Sequence, residues 1–527
     1  MTKLYQSQNL KFIIILLFFF SCKEIERHER PNVVFIICDD LNDYIGTFGG
    51  HPQSITPNID SLANYGIKFI NAQSNIPVCS PSRNSFLTGV YPHDSKDFGW
   101  TPRAKQKNLK NNKTFLKLLK ENGYYLAGSG KIAHKHESEP WDEWGTDVKH
   151  NYGPFLFDGK EMIAHPEVPA PYREIGPIDG SYGSFFSRSS YKITSNSPIW
   201  VKGPDEEPFK YISADDRDLT NDEKHAEFAV SKIRLFEKKN MTQPFFIGIG
   251  FVRPHTPLHA PKKYFDMFPI EQLKLEDWKE NDEYDTWYNE NNPASMKGLR
   301  YYKTLLESYD GDRELALKKF LQAYLACVTF VDEQIGKVID AIKNSKFRDN
   351  TIIILTSDHG WQMGEKSYLF KNSGWEESCR IPLIISTPNS KFGSVRQPVS
   401  LIDIFPTLID YCRLIGSNKL SEKGADLGGH SLRPLIEDPE NGIWSGPKGA
   451  LSVIGNYAEV RDSTLQGQNF SYRTANWRYI RYNDQSEELY NHKNDIYEWN
   501  NLVKDKNYQS VLARLRSELN ELVFKKI

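Results

Sequence analysis

Short apolar runs that end abruptly in charged or histidine-bearing turns dominate the pattern of this chain. The run Asn32 to Ile37 ends in Cys38, Asp39 and Asp40, and the run Thr351 to Thr356 ends in Ser357, Asp358 and His359. A third run, Pro244 to Phe251, ends in Arg253, Pro254 and His255. Continuous rather than alternating hydrophobicity over so few residues predicts strands buried on both faces, as in a parallel sheet. Residues 114–120 place apolar side chains at helical spacing and stop at Gly123. A strand over 124–127 then delivers Lys131 and His134. Tyr324, Val328, Val331, Ile335, Val338 and Ile342 form the stripe of an amphipathic helix, read as core.

Strands alternating with helices predict an α/β domain over residues 31–445, with a large, mostly parallel sheet flanked by helices. Residues 381–385 add a further strand, and Asp403 is expected to brace the core. Residues 135–240 show few periodic runs and are read as long loops over the sheet, where recognition is usually carried. A polar, glycine-bearing link over 416–446 leads to short alternating stretches around 451–453, 472–474 and 477–482, then a helical tail from 508. This predicts a small antiparallel C-terminal subdomain over 446–527.

Lys3 and Lys11 precede the apolar run Phe12 to Phe20, too short to span a bilayer and suited to a signal peptide. The run ends in Ser21 and Cys22, which resembles a bacterial lipobox. That resemblance implies a lipoprotein-type signal peptide over 1–22, lipidation of Cys22 and a polar spacer over 23–30. An exported periplasmic or cell-surface lipoprotein is expected, with a soluble secreted protein as the alternative. Membrane association would then come only from the lipid.

The net charge of −2 and the scattered basic residues leave no electrostatic footprint for nucleic acid. Six cysteines without close pairing exclude a disulfide scaffold and a structural zinc knuckle. Two adjacent carboxylates at a strand tip repel each other unless a cation holds them. Asp39, Asp40, Asp358 and His359 are therefore candidate ligands for one divalent cation, Ca²⁺ or Mg²⁺ given the oxygen-rich set.

The stretch Pro77 to Gly89 predicts a helix with Ser80 as N-cap and Pro81 in its first turn. Cys79 would face the positive end of that helix, with Arg83 one turn on. A buried structural cysteine is the alternative. Cys79-Ser80-Pro81-Ser82-Arg83, closed by Leu87-Thr88-Gly89, resembles the signature of the type I sulfatase family.

The resemblance implies the alkaline-phosphatase-like α/β sandwich and conversion of Cys79 to formylglycine by a maturation enzyme. The hydrated aldehyde is the family's nucleophile and takes part in binding the metal, usually Ca²⁺. It further implies that Arg83 supports the nucleophile, that Lys131 and Lys371 bind sulfate, and that His134 takes a proton from the hydrate. His255 is implied as the general acid, and an ordinary imidazole pKa suits that role near neutrality. His359, Pro254-His255-Thr256-Pro257 and Trp361 to Lys366 are similar to the iduronate-2-sulfatase-like subgroup. The expected substrate is a sulfated polysaccharide or its oligosaccharides, with algal polymers such as ulvan favoured over glycosaminoglycan. Two rivals remain at this point: a phosphomonoesterase or phosphodiesterase of the same superfamily, and an inactive glycan-binding relative.

Overall fold

The computed structural model describes residues 30–134, 140–145, 152–187, 198–205, 207–287, 296–388, 391–456 and 462–524. The leader, Cys22 and nearly all of the spacer lie outside the described residues. Among the described residues no helix is long and apolar enough to cross a membrane.

The expected α/β architecture is present. The central sheet contains β1 (Asn32–Asp39), β2 (Ile67–Phe69), β3 (Tyr125–Gly130), β4 (Glu143–Trp144), β5 (Phe245–Pro254), β6 (Thr351–Ser357), β7 (Leu383–Ser386) and β8 (Gly393–Val395). Their order is β8-β2-β7-β6-β1-β5-β3-β4. β1 lies at the centre, parallel to β5 and β6, with Val33 opposite both Phe246 and Ile352. β3 is parallel to β5, whereas β7 runs against both β6 and β2. The parallel strands β1, β3, β5 and β6 thus bring their carboxyl ends to one edge of the sheet, where open α/β sheets place their ligands.

Alternation along β1 divides the core. Val34 and Ile36 face a cluster that includes Ala226 and Ile233 of helix α3 (Asn221–Lys238) and the stripe of α4 (Arg313–Lys343). Val33, Phe35 and Ile37 face Phe86 of α1 (Cys79–Thr88) and Leu118 of α2 (Phe115–Glu121). A sheet apolar on both faces must be covered on both faces, hence the two helical layers.

Three local expectations are corrected. Helix α1 begins at Cys79, capped by extended Val78 without a side-chain hydrogen bond, so Ser80 is not the N-cap. Residues 135–240 are not loop throughout, because α3 fills their end. Its first turn is closed by a capping box in which Thr220 and Glu223 exchange hydrogen bonds with each other's backbone. The link over 416–446 holds a short helix, α5 (Arg433–Glu437), that buries Leu435 and Ile436.

The C-terminal strands β9 (Gly449–Ile454), β10 (Asn469–Thr474), β11 (Trp477–Arg481) and β12 (Glu487–Asn491) form an antiparallel sheet in chain order. Helix α6 (Gln509–Phe524) covers it with Leu512, Leu515, Leu519 and Val523. The sheet joins the main body through Val453 N–H, which donates to Asn75 O at 2.8 Å, and through Arg478.

Candidate active site

Cys79 is buried at the first helical position of α1, and the tips of β1 and β6 converge on it. The hydroxyls of Ser74 and Ser82 both donate to Asp358 O, at 2.6 and 2.7 Å, which docks the end of β6 on the start of α1. Arg83 is completely buried. Its Nε donates to Asp358 Oδ2 at 2.8 Å, and Nη1 donates to the backbone oxygens of Lys131 and Ile132. One guanidinium therefore ties two strand tips, those of β6 and β3, to α1, a task suited to its fixed fork of donors.

Asp40 adopts a left-handed backbone (φ 62°), a conformation that costs a non-glycine residue on the order of 1 kcal/mol and recurs at functional sites. Tyr324 Oη donates to Asp40 O at 2.7 Å and helps hold that turn. This tyrosine, expected only to pack the α4 stripe, thus also shapes the site.

The remaining side chains close around the thiol. Lys371 Nζ lies 2.7 Å from Asp40 Oδ1 and 3.1 Å from Cys79 Sγ. His359 Nε2 lies 3.3 Å from the same sulfur, while its Nδ1 faces Gly360 O at 3.1 Å. Lys131 Nζ donates to Asp39 Oδ2 and, at 2.9 Å, to the hydroxyl of Tyr152. His255 places Nε2 3.6 Å from Asp40 Oδ2 and Nδ1 2.5 Å from Thr256 O. Its ring stacks on Tyr152 with centroids 4.7 Å apart. His134 is half-buried, 5.3 Å from the ring of Trp100, and belongs to neither cluster of candidate ligand atoms at Cys79.

Electrostatics follow from burying so many charges together. Burial would raise the Asp39 carboxyl, but Lys131, His255, Arg83 and Lys371 outweigh it and hold the group well below the usual range. Burial and the neighbouring Asp39 push Asp40 up to about 8 despite Lys371. Both lysines stay charged because the carboxylates outweigh the cost of their burial. Burial, Lys371 and Lys131 hold His255 well below the ordinary imidazole value, which corrects the expectation of an unperturbed ring. Burial and Asp39 raise the Cys79 thiol, so an unmodified cysteine here is a neutral, weak nucleophile.

The donor set fits a divalent cation. Asp39 Oδ1 and Asp40 Oδ2 are buried without a hydrogen-bond partner. Candidate ligand atoms of Asp39, Cys79, Asp358 and His359 lie within 4.8 Å of one another, as do those of Asp39, Asp40, Cys79 and His255. A separate group, Glu376, His492 and Glu498, is already threaded by Arg473 and Arg478 and is structural.

Two residues at the site were not among the site residues expected from the sequence. Tyr152 is one. Arg253 is the other: it is buried and donates to the backbone oxygens of Tyr152 and His259, both at 3.0 Å. Its proximity to His255 in sequence was the only available pointer.

Comparison with known proteins agrees with this geometry. The sulfatase family model matches residues 31–413, and the model for the C-terminal region of N-sulphoglucosamine sulphohydrolase matches residues 364–525. A sulfatase of Formosa agariphila is 30% identical over 521 residues, covering 96% of this chain and 91% of that protein. Iduronate 2-sulfatase of Mus musculus is 26% identical, covering 85% and 84% respectively. Among solved structures, BT4656 in complex with its substrate D-glucosamine-2-N,6-O-disulfate shares the fold with a TM-score of 0.65 and 21% identity, covering 94% of this chain and 98% of that one. This chain belongs to the sulfatase family and is a sulfuric ester hydrolase.

Proposed function

We propose that the protein removes sulfate from a sulfated oligo- or polysaccharide, using formylglycine at position 79 and a divalent cation, Ca²⁺ before Mg²⁺. The observation that carries this reading is the convergence of two lysines, two histidines and carboxylate oxygens that accept no hydrogen bond on one buried cysteine whose own thiol is a weak nucleophile. Formylglycine supplies the hydroxyl of a hydrated aldehyde, whose oxygens would stand where Sγ now lies. Asp39, Asp40, Asp358 and His359 would hold the cation, which supplies Lewis-acid polarisation of the sulfate group.

The chain's own residues do the rest. Lys371, already in contact with position 79, and Lys131, on the Asp39 side, neutralise the sulfate oxygens as charge builds on them. Arg83 keeps the β6 and β3 tips in register with α1. His255 protonates the departing sugar oxygen through Nε2, because Nδ1 is committed to Thr256 O. The ring's low proton affinity is offset when an anionic sulfate enters between it and the lysines. His134, beside Trp100 and outside the ligand clusters, would take the proton of the hydrate's second hydroxyl as sulfate departs.

A sugar leaving group is supported by the similarity to iduronate 2-sulfatase and by the disulfated glucosamine of the structural neighbour. Between ulvan, the choice favoured from sequence, and glycosaminoglycan, sulfate release from a panel of both kinds of oligosaccharide decides. Export and lipid anchoring at Cys22 complete the proposal, with a formylglycine-generating enzyme as maturation partner. Mass spectrometry of the Cys79 peptide from the native host tests it: an aldehyde is expected, and wholly unmodified cysteine in active enzyme would overturn it.

A further inference from the structure

We propose that Tyr152 is a positioning residue for both halves of ester cleavage, its hydroxyl aiming Lys131 and its ring aiming the imidazole of His255. The inference rests on the assignment of His255 as proton donor.

The contacts are specific. Lys131 Nζ donates to Tyr152 Oη at 2.9 Å and sits 4.9 Å from the centre of the same ring. The opposite demand on the residue comes from His255, stacked at 4.7 Å with an interplanar angle of 29°. A lysine has four rotatable side-chain bonds, so a fixed acceptor near its tip removes much of its freedom. An imidazole held by one hydrogen bond at Nδ1 still swings about that bond. A ring stacked on its face fixes the plane and so the direction of Nε2.

The tyrosine is itself held. Arg253 donates from Nη2 to Tyr152 O at 3.0 Å and from Nη1 to His255 O at 3.3 Å. The backbone N–H of Arg253 donates to Asp222 Oδ2 at 2.9 Å, in the first turn of α3. Tyr152 and His255 therefore sit on two segments clamped by one buried guanidinium, and their relative placement is built into the fold.

The test compares kcat/KM for para-nitrophenyl sulfate, a good leaving group, with phenyl sulfate, a poorer one that depends more on protonation. The ratio is taken on each preparation, so it does not depend on the folded fraction. His255→Ala is expected to raise the ratio of the two by about tenfold or more, within the range of general-acid catalysis. Tyr152→Ala is expected to raise it by about threefold to tenfold as the donor loses its aim. Tyr152→Phe keeps the ring and loses the acceptor, so both rates fall together, by about threefold or more, at an unchanged ratio. A merely structural tyrosine would lower both rates equally in Tyr152→Ala. If His255→Ala raises the ratio and Tyr152→Ala does not, the positioning role is refuted. If His255→Ala leaves the ratio unchanged, the proton-donor assignment falls and this inference with it. Tyr152→Phe rates equal to wild type would refute the lysine arm.

Discussion

Replacing Arg478 with Met is expected to cost about 3–5 kcal/mol of stability, because it strands buried carboxylates where the C-terminal sheet meets the main body. Arg478 is completely buried. Nε donates to Glu498 Oε1 at 2.5 Å and Nη2 to Glu376 Oε2, while Nη1 donates to Gly374 O at 3.0 Å and Ser471 Oγ at 2.7 Å. After the substitution Glu376 keeps Arg473, with Nε at 3.0 Å, and Glu498 keeps His492 at 2.8 Å. Those partners soften the loss, which places it near the lower end of that range.

Arg516 is the internal control. It also pairs with a glutamate, donating from Nε to Glu487 Oε1 at 2.6 Å, but its side chain is 46% exposed. Solvent screens such a pair, so Arg516→Ala should cost no more than about 1 kcal/mol. Urea unfolding followed by two probes measures both, the second probe checking that the subdomain does not melt separately. Equal losses for the two variants would refute the reasoning. The anchoring also reaches the site, since Gly374 stands three residues beyond Lys371. Sulfate release well below the melting temperature should fall in Arg478→Met and not in Arg516→Ala.

Three further outcomes are expected. Lys371→Ala should lower sulfate release from para-nitrophenyl sulfate about 10²–10³-fold, the usual effect of losing one charge-stabilising donor; a loss below about threefold would remove Lys371 from the mechanism. A chelator should abolish turnover and lower the melting temperature, with Ca²⁺ restoring both, because a ligand at 100 times its Kd stabilises by about 2.7 kcal/mol; unchanged melting would count against the cation. Burial pushes the Asp403 carboxyl up to about 7, against hydrogen bonds from Ser400 and His430. The folded state therefore holds this proton more tightly than the unfolded chain, and the resulting stability is present at low pH and lost as pH rises from about 4 to about 7. Asp403→Asn should flatten the pH dependence of melting over that window, whatever its overall stability, and an unchanged slope would refute the shift.

The strands that build the site were legible because a strand buried on both faces is a continuous apolar run, and parallel pairing fixes which end carries the polar tip. Asp39, Asp40, Asp358, His359 and His255 follow from that one rule. Helix α3 was not legible from hydrophobic runs. Its buried stripe of Ala226, Ala229, Ile233 and Phe236 is small and diluted by charge, and the Thr220 and Glu223 capping box was the signal that the loop reading passed over. Tyr152, Arg253 and Tyr324 act through partners brought together by the fold, from 21 residues away for Tyr152 and Lys131 to 284 for Tyr324 and Asp40, or through backbone oxygens that have no sequence identity. Glu488 makes the same point. Its carboxylate accepts from Tyr482 Oη and Tyr490 Oη nearby and from Trp287 N and Trp375 Nε1, both more than 100 residues away, and that distant half of the anchor is invisible in its own neighbourhood.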